Sequence, residues 1–367
     1  MIYKKGRKKM QEKGTLASLS PYVPGKPIAD VQAEYGLEKV VKLASNENPF
    51  GSSKQVQTAL AEALTSLEYY PDGGAKALKK AIANFHKISE EQIVVGSGLD
   101  DVIQIISRAI LSVGDEIVVA DPTFSQYELH ATVEGATVIK IPVDSKTGQM
   151  DLAGMLAAIT SKTKIIWLCN PNNPTGTYLP QSVIQSFVAQ VPSDILVISD
   201  EAYQEYVTIE KVSTSLPLLA DYPNLIVLRT FSKAYGLAAL RIGYAILSEQ
   251  FKRPFEIVRL PFNTSTLAQV GAISALADQA FIQKTVSTNA SEREKWEAFL
   301  TQAEVDYYLS QANFVFFDTK QDSKKLAKQL MQAGYIVRAG LRDQWLRVTI
   351  GYPEDNQKLR EILTTIW

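Results

Sequence analysis

The sequence predicts an α/β fold in which a large, doubly wound, mostly parallel seven-stranded sheet is followed by a smaller α+β domain. Before Pro261, apolar runs rich in β-branched residues alternate with helical patterns. Runs with so little polar alternation are typical of strands that crossover helices bury on both faces. After about Pro261 the pattern changes to a long helical region followed by short strands. This change indicates a second domain.

Each element is predicted from its local pattern. The predicted strands of the large sheet are residues 93–95, 116–120, 137–143, 164–169, 195–199, 225–229 and 242–247. Helical periodicity predicts helices over residues 99–111, 125–134, 152–159 and 181–190. In the second domain we expect a lightly interrupted helical region over 266–303, a strand over 312–318, a helix over 324–332, strands over 335–338 and 345–350, and a closing helix near 356–366. We therefore predict an N-terminal arm over residues 1–44, a large domain over 45–262 and a small domain over 263–367.

Composition argues against several classes of function. A formal net charge of −1 over 367 residues argues against a general nucleic-acid binder, which is usually basic. One cysteine, Cys169, and two histidines, His86 and His130, argue against a disulfide framework and a histidine-ligated metal centre. No apolar run approaches the ~20 residues of a membrane span. The basic stretch near the N-terminus lacks the apolar segment of a secretory signal. We expect a cytoplasmic protein.

The sharpest motif is Thr-Phe-Ser-Lys-Ala-Tyr-Gly over residues 230–236, directly after a predicted strand. Most lysines at strand ends are solvated surface charges, but hydroxyl residues precede Lys233, and Arg241 stands eight residues beyond it. A lysine beside low-dielectric walls loses its proton more easily and can form an imine with an aldehyde. Hydroxyls and an arginine beside it are groups that hold a phosphate. The motif is consistent with imine chemistry beside a phosphate, and a surface lysine is the alternative.

Three further motifs follow predicted strands. Residues 170–176 are Asn-Pro-Asn-Asn-Pro-Thr-Gly, which a simple turn also explains. Residues 199–203 are Ser-Asp-Glu-Ala-Tyr and place Asp200 at the carboxyl end of a strand, where ligands bind in open α/β sheets. Residues 96–101 are Gly-Ser-Gly-Leu-Asp-Asp and open a helix whose backbone amides can hold a phosphate. Position 101 is aspartate, so the full dinucleotide-binding pattern is missing, and no Walker pattern occurs.

In this order and at these strand ends, the motifs resemble those of the fold-type I aminotransferases that use pyridoxal phosphate, over nearly the whole chain. Within that group the sequence is similar to the histidinol-phosphate aminotransferase family. Five further segments carry this similarity: Leu-Ser-Pro-Tyr at 19–22, Leu-Ala-Ser-Asn-Glu-Asn-Pro at 43–49, Tyr-Tyr-Pro-Asp at 69–72, Asn-Phe at 313–314 and Trp-Leu-Arg-Val-Thr-Ile-Gly at 345–351. The resemblance implies a transaminase with pyridoxal 5'-phosphate as its cofactor.

The resemblance also implies catalytic and cofactor-binding roles for single residues. Lys233 forms the internal aldimine and moves the proton during turnover, while Asp200 pairs with the pyridine nitrogen. Asn173 and Tyr203 hydrogen-bond the phenolic oxygen. Phe124 stacks on the pyridine ring, with plain core packing as the alternative. The groups implied for the cofactor phosphate are the amides of Leu99 and Asp100, with Ser232, Arg241 and, more weakly, Thr230; the role of Asp101, where relatives often have glutamate, stays open.

The remaining implied residues concern the substrate and a second subunit. Arg347 takes the substrate carboxylate through a bidentate fork. Arg338 and Tyr22 approach the phosphate of histidinol phosphate, with surface charge as the alternative for Arg338. Tyr70 reaches the phosphate of the neighbouring subunit's cofactor, so the active site is shared in a homodimer. Aromatic packing is the alternative for Tyr69 and Tyr70.

The implied reaction is a ping-pong exchange in histidine biosynthesis. Glutamate leaves as 2-oxoglutarate, and imidazole acetol phosphate is then aminated to histidinol phosphate. An aromatic-amino-acid aminotransferase or a phosphoamino-acid decarboxylase on the same framework is the alternative, because the same cofactor residues serve all three. A non-catalytic binding module is an alternative of a different class, and the intact set of Lys233, Asp200 and Arg241 argues against it.

Overall fold

The structure is a computed structural model that describes residues 12–17, 19–21 and 25–367. Its strands are β1 (Val41–Lys42), β2 (Ile93–Gly96), β3 (Glu116–Asp121), β4 (Thr137–Pro142), β5 (Thr163–Cys169), β6 (Leu196–Asp200), β7 (Leu225–Thr230), β8 (Gly243–Ile246), β9 (Phe314–Asp318), β10 (Tyr335–Ile336), β11 (Arg338–Ala339) and β12 (Trp345–Thr349). Its α-helices are α1 (Ile28–Tyr35), α2 (Lys54–Ala63), α3 (Lys76–His86), α4 (Gly98–Ile110), α5 (Gln126–Glu134), α6 (Leu152–Ala157), α7 (Gln181–Val188), α8 (Lys252–Val258), α9 (Thr266–Ala277), α10 (Gln279–Gln302), α11 (Ser323–Gln332) and α12 (Pro353–Ile366).

The large sheet confirms the predicted fold class. Within the described residues it has seven strands in the order β2-β8-β7-β6-β5-β3-β4. Neighbouring strands are parallel except at β8, which runs antiparallel to both β2 and β7. The carboxyl ends of β2, β3, β5, β6 and β7 therefore lie along one edge of the sheet, and the loops that follow them meet there.

Burial across this sheet differs between its centre and one margin. Every residue of β6 and β7 is buried, as the apolar runs predict. The expectation of burial on both faces is wrong for β4, where exposed and half-buried residues are interspersed. β4 lies at the end of the strand order and pairs with β3 alone among the described strands. An edge strand has less of its surface covered, so a β-branched run there does not imply full burial.

The second part of the chain confirms the lightly interrupted helical region and differs from the sequence prediction at one strand. The helical region predicted over 266–303 is two helices, because Asp278 leaves the helical conformation and its carboxylate accepts a hydrogen bond from the Phe281 amide at 3.2 Å, which caps α10. The strand predicted over 335–338 is also split. β10 pairs in parallel with β1, whereas β11 pairs antiparallel with β12. The chain passes from one small sheet to the other at Val337.

The two parts of the chain are interleaved. α9 packs against α2 and α3, which cover the large sheet, while β1 pairs with the late strand β10. The boundaries predicted at residues 44 and 262 stay a prediction. Across residues 12–17, 19–21 and 25–367, no helix combines the length and the apolar character needed to cross a membrane.

Candidate active site

A cavity of about 240 Å³ opens at the carboxyl edge of the large sheet, and residues of β11 and β12 complete its lining. It brings together most of the residues that the sequence singles out. These are Leu99, Asp100, Phe124, Asn173, Asp200, Tyr203, Thr230, Ser232, Lys233, Arg241, Arg338 and Arg347. Tyr70 is not part of this lining, and Tyr22 lies outside the described residues. Because these residues come from widely separated segments, only the fold assembles them.

Asn173, Asp200, Tyr203 and Lys233 form what we call the cavity floor. Each follows or ends a parallel strand of the large sheet: Asn173 comes after β5, Asp200 ends β6, and Lys233 comes after β7. The Nζ atom of Lys233 donates to the Ser45 carbonyl oxygen at 3.2 Å. Burial, and then the positive charge of Arg347, lowers the pKa of Lys233 to about 8. At pH 7 about a tenth of the amine is therefore neutral, which is the form in which an amine acts as a nucleophile.

Asp200 is held at both of its carboxylate oxygens. Oδ1 accepts a hydrogen bond from the Ala202 amide at 3.1 Å, and Oδ2 accepts one from the Tyr127 hydroxyl at 2.6 Å. Burial raises the pKa of Asp200 to about 6, although both hydrogen bonds oppose that rise. At pH 7.5 the side chain is therefore mostly ionised. A buried, oriented carboxylate of this kind fits a positively charged ring nitrogen as its partner.

Tyr203 and Asn173 connect the floor to the residues above it. The Tyr203 hydroxyl accepts a hydrogen bond from Asn46 Nδ2 at 3.0 Å, and its ring meets Phe314 edge-on at 5.3 Å between centroids. Burial raises the pKa of Tyr203 above its ordinary value, so the hydroxyl stays protonated. Asn173 Oδ1 accepts a hydrogen bond from Arg347 Nη1.

The start of α4 forms a cradle beside the floor. Gly98 has a φ of 79°, which strains any L side chain, and a Cβ atom there would lie 2.4 Å from Nη2 of Arg241, so the guanidinium would have to shift. Leu99 and Asp100 of the first turn of α4, together with Ser232 and Arg241, line the cavity at this point. Helix amides, a hydroxyl and a guanidinium form a donor set that suits a phosphate dianion. The cradle therefore fits the phosphate of the predicted cofactor.

Two neighbours of this cradle have local structural contacts. Asp101 Oδ2 accepts hydrogen bonds from the Ser97 amide at 2.8 Å and from Asn263 Nδ2 at 2.7 Å, which fixes the turn before α4. Thr230 Oγ1 accepts one from the Ser232 amide at 3.1 Å. These contacts give Asp101 a structural part in this turn, and Asp101 is not among the residues that line the cavity.

The two predicted substrate arginines lie opposite each other on adjacent strands. Arg338 of β11 is in register with Arg347 of β12. Side chains at directly opposed positions of an antiparallel pair lie on the same face, and both line the cavity. Arg347 is buried, and its Nη2 donates to the Ala44 carbonyl oxygen at 2.7 Å. The lining of the cavity therefore includes two arginines from neighbouring strands.

Sequence reasoning missed two residues that organise this site. Asn46 has a φ of 55°, in the left-handed region, and accepts a hydrogen bond from the Thr349 hydroxyl at 3.0 Å while donating to Tyr203. Tyr127 donates to Asp200 from α5. Asn46 lies in the segment 43–49, which carries the family resemblance, so the sequence could have indicated its place in the site. Tyr127 resembles an ordinary core aromatic, and its sequence gives no sign of the contact.

Tyr70 lies on the outer surface. Its side chain is 82% exposed and stacks on Phe262 with ring centroids 4.8 Å apart. Around this pair are other exposed apolar side chains on the segments before and after it. We call the set Leu64, Leu67, Tyr69, Tyr70, Leu260 and Phe262 the apolar edge. Arg259 ties the two segments together by donating to the Gly73 carbonyl oxygen at 2.9 Å.

Comparison with known proteins places this architecture in a family. The model of aminotransferase class I and II matches residues 38–363. The histidinol-phosphate aminotransferase of Bacillus cytotoxicus is 50% identical over 361 residues, covering 97% of each chain. That of Halalkalibacterium halodurans is 47% identical over 350 residues, covering 95% of this chain and 94% of its own. Among solved structures, the histidinol-phosphate aminotransferase of Sinorhizobium meliloti, in complex with pyridoxal-5'-phosphate, superposes with a TM-score of 0.88 at 26% identity, covering 97% of this chain and 98% of that one.

Proposed function

Because the chain belongs to the aminotransferase class I and II family and, within it, to the histidinol-phosphate aminotransferases, we propose that it exchanges an amino group between histidinol phosphate and 2-oxoglutarate. The products are imidazole acetol phosphate and glutamate, and the reaction belongs to histidine biosynthesis. The chain is a pyridoxal-phosphate enzyme, as the sequence predicts. The observation that carries the substrate assignment is the cross-strand pair of Arg338 and Arg347 facing the cavity floor.

Pyridoxal phosphate, when bound, supplies an aldehyde and an electron-accepting ring. The chain's residues supply positioning and proton transfer. The cradle at Gly98, Ser232 and Arg241 would hold the phosphate. Asp200 would keep a proton on the ring nitrogen through a charge-assisted hydrogen bond. Lys233 would provide the amine for the aldehyde and, when free, would carry the proton at its Nζ atom.

The arginine pair explains how one cavity accepts two kinds of anion. Glutamate presents carboxylates, whereas histidinol phosphate presents a phosphomonoester, and both need a buried cation. We assign Arg347, which lies deeper, to the carboxylate and Arg338 to the phosphate. Guanidinium groups suit both because their planar forks bind two oxygens at once. Tyr22 stays a predicted further contact with the phosphate.

A single half-reaction tests the substrate. The purified protein, loaded with cofactor, is mixed in turn with L-histidinol phosphate, phenylalanine and tyrosine, and the absorbance of the bound cofactor is followed by stopped flow. We expect conversion by histidinol phosphate to be at least tenfold faster than by either aromatic amino acid. Faster conversion by phenylalanine or tyrosine would move the function to the aromatic-amino-acid alternative.

Variants of the two arginines separate the two anion contacts. We expect Arg338→Ala to raise the KM for histidinol phosphate at least tenfold while changing that for glutamate little, because a hydrogen bond to a charged group contributes ~1.5–3 kcal/mol. Arg347→Ala should raise the KM for glutamate strongly. Arg342→Ala is the matched control, since Arg342 hydrogen-bonds Tyr308 and lies over the Trp345 ring at 4.8 Å. Equal effects on both substrates from Arg338→Ala would contradict the phosphate assignment.

The apolar edge supports a homodimer with a shared active site. Monomeric soluble proteins rarely expose large apolar patches, and such patches usually mark a site of interaction with another molecule. A second copy of the chain that covers this edge would bring Tyr70 to the partner's cradle, as the sequence predicts. Light scattering coupled to gel filtration tests the assembly, and a mass near 40 kDa, the mass of one chain of 40.5 kDa, would exclude it. The cytoplasmic location stays a prediction, which cell fractionation tests.

A further inference from the structure

Tyr127 is the contact of Asp200 that has no role in the reaction described so far. Its hydroxyl donates to Asp200 Oδ2 at 2.6 Å, and both side chains are buried. Its ring stacks on Trp167, with centroids 4.4 Å apart and planes 11° apart, and meets Phe124 edge-on at 5.6 Å. The aromatic packing therefore fixes the ring without help from the hydroxyl. The hydroxyl has a fixed position as a result, and it is aimed at the carboxylate.

Toward Asp200 the hydroxyl acts as a donor. Burial and the negative charge of Asp200 raise the pKa of Tyr127 well above its ordinary value, so it keeps its proton. Burial also raises the pKa of the nearby Cys169 thiol to about 12, so the thiol remains neutral. The hydrogen bond from Tyr127 thus stabilises the ionised form of Asp200.

The other charged groups around Asp200 oppose its ionisation. Asp100 of α4 and Glu201, the next residue along the chain, both carry negative charge that raises the pKa of Asp200. Glu201 is itself paired with Arg229 at 3.2 Å. Tyr203 also lies near Asp200 and stays protonated. Tyr127 is therefore the side chain whose hydrogen bond favours the Asp200 carboxylate, and the Ala202 amide is the backbone group that does so.

We propose that Tyr127 is a positioning residue that holds Asp200 oriented and ionised, and that the charge on the cofactor's ring nitrogen depends on this contact. The inference rests on the cofactor role of Asp200 in the proposed function. An ionised carboxylate favours a protonated ring nitrogen, whereas a protonated carboxyl shares a neutral hydrogen bond with it. Without the Tyr127 hydroxyl, the equilibrium shifts toward a protonated Asp200 and a neutral ring nitrogen. Because Phe124 lies on the same turn, this short segment contributes both to the cavity lining and to the support of Asp200.

The test is Tyr127→Phe, which keeps the stacked ring and removes only the hydroxyl. Tyr244→Phe is the matched control, because Tyr244 is also buried and loses one hydrogen bond, to His86 Nε2 at 2.8 Å, without touching Asp200. Pyridoxal phosphate labelled with ¹⁵N in the ring is bound to each protein, and its NMR shift at pH 7.5 reports protonation. We expect the shift of Tyr127→Phe alone to move toward that of the neutral nitrogen. We also expect about a tenfold loss of cofactor affinity, measured by fluorescence titration of the cofactor-free protein.

A double-mutant cycle distinguishes positioning from general loss of packing. In an Asp200→Asn background, Tyr127→Phe should change cofactor affinity less than twofold, because there is no carboxylate charge left to hold. A full tenfold effect in that background would overturn the proposal, as would a wild-type ¹⁵N shift in Tyr127→Phe. Either result would leave the proposed function intact. Failure of the wild-type protein to bind pyridoxal phosphate would instead overturn the proposed function.

Discussion

The cavity floor and the apolar edge are built in opposite ways. On the floor, Asp200 has a hydrogen bond at each carboxylate oxygen, and its side chain is 2% exposed. At the edge, Tyr70 is 82% exposed and has only the Phe262 ring for a stacking partner among the described rings. The polar groups of the floor thus find their hydrogen-bond partners within one chain. At the edge, apolar side chains are exposed to water, which is unfavourable in free energy. The difference teaches that the floor can be assigned from one chain and the edge only from an assembly.

The largest expected effect comes from removing the amine of the floor. We expect Lys233→Ala to lower kcat by about 10³-fold or more, because a positioned proton-transfer group contributes 10²–10⁴ in rate. Steady-state assay of the cofactor-loaded protein checks this, and thermal unfolding checks that the fold survives. Lys79→Ala is the matched control, since Lys79 is also a buried lysine and pairs with Glu256 at 2.9 Å. Turnover near the wild-type rate in Lys233→Ala would contradict its assignment.

An intermediate effect is expected at the apolar edge. Tyr70→Phe keeps the stack on Phe262 and removes the hydroxyl, so it should weaken cofactor binding about tenfold while leaving the dimer intact. Tyr70→Ala removes the ring as well and should also weaken the dimer. Cofactor titration and gel filtration measure the two effects separately. If Tyr70→Phe binds cofactor as the wild type does, the hydroxyl does not reach the partner's cradle, and aromatic packing is the role of Tyr70.

The remaining effect has the opposite sign and concerns stability. Burial raises the pKa of Asp200 from 3.8 to about 6, so the folded state binds a proton more tightly than the unfolded state does. The stability that this provides is present below pH 3.8 and is lost as the pH rises to about 6. Asp200→Asn does not titrate, so it should stabilise the cofactor-free protein at pH 7.5 by about 1–3 kcal/mol.

Urea unfolding of the cofactor-free proteins checks this stability difference. The free energy of unfolding of Asp200→Asn should exceed that of the wild type at pH 7.5, and this difference should become smaller as the pH falls from 6 toward 4. A variant that is less stable than the wild type at pH 7.5 would show that the carboxylate is well compensated by its hydrogen bonds. Burial of the Asp200 carboxylate in the floor would then not lower the stability of the fold.

The sequence predicts the floor better than its supports, for a physical reason. Lys233 and Asp200 stand at strand ends, and parallel topology alone brings strand ends together. The contact of Tyr127 with Asp200 depends instead on the position of a helix that packs on Trp167, 40 residues away in the sequence. Likewise, no local pattern indicates that Asp278 interrupts a helix, since aspartate at one position is equally compatible with an exposed helical surface. Tertiary packing determines both the Tyr127–Asp200 contact and the position of the helix break.

The position of Asn46 has a consequence for how the protein is made. Its backbone amide donates to the Thr349 hydroxyl across a separation of 303 residues in the sequence. The Ala44 carbonyl oxygen accepts a hydrogen bond from Arg347 across the same sequence separation. A chain emerging from the ribosome presents Lys233 more than a hundred residues before it presents these partners. The substrate side of the cavity therefore closes only near the end of synthesis. Chains that terminate early, before β12, would carry Lys233 and Asp200 without Arg347, the arginine to which we assign the substrate carboxylate.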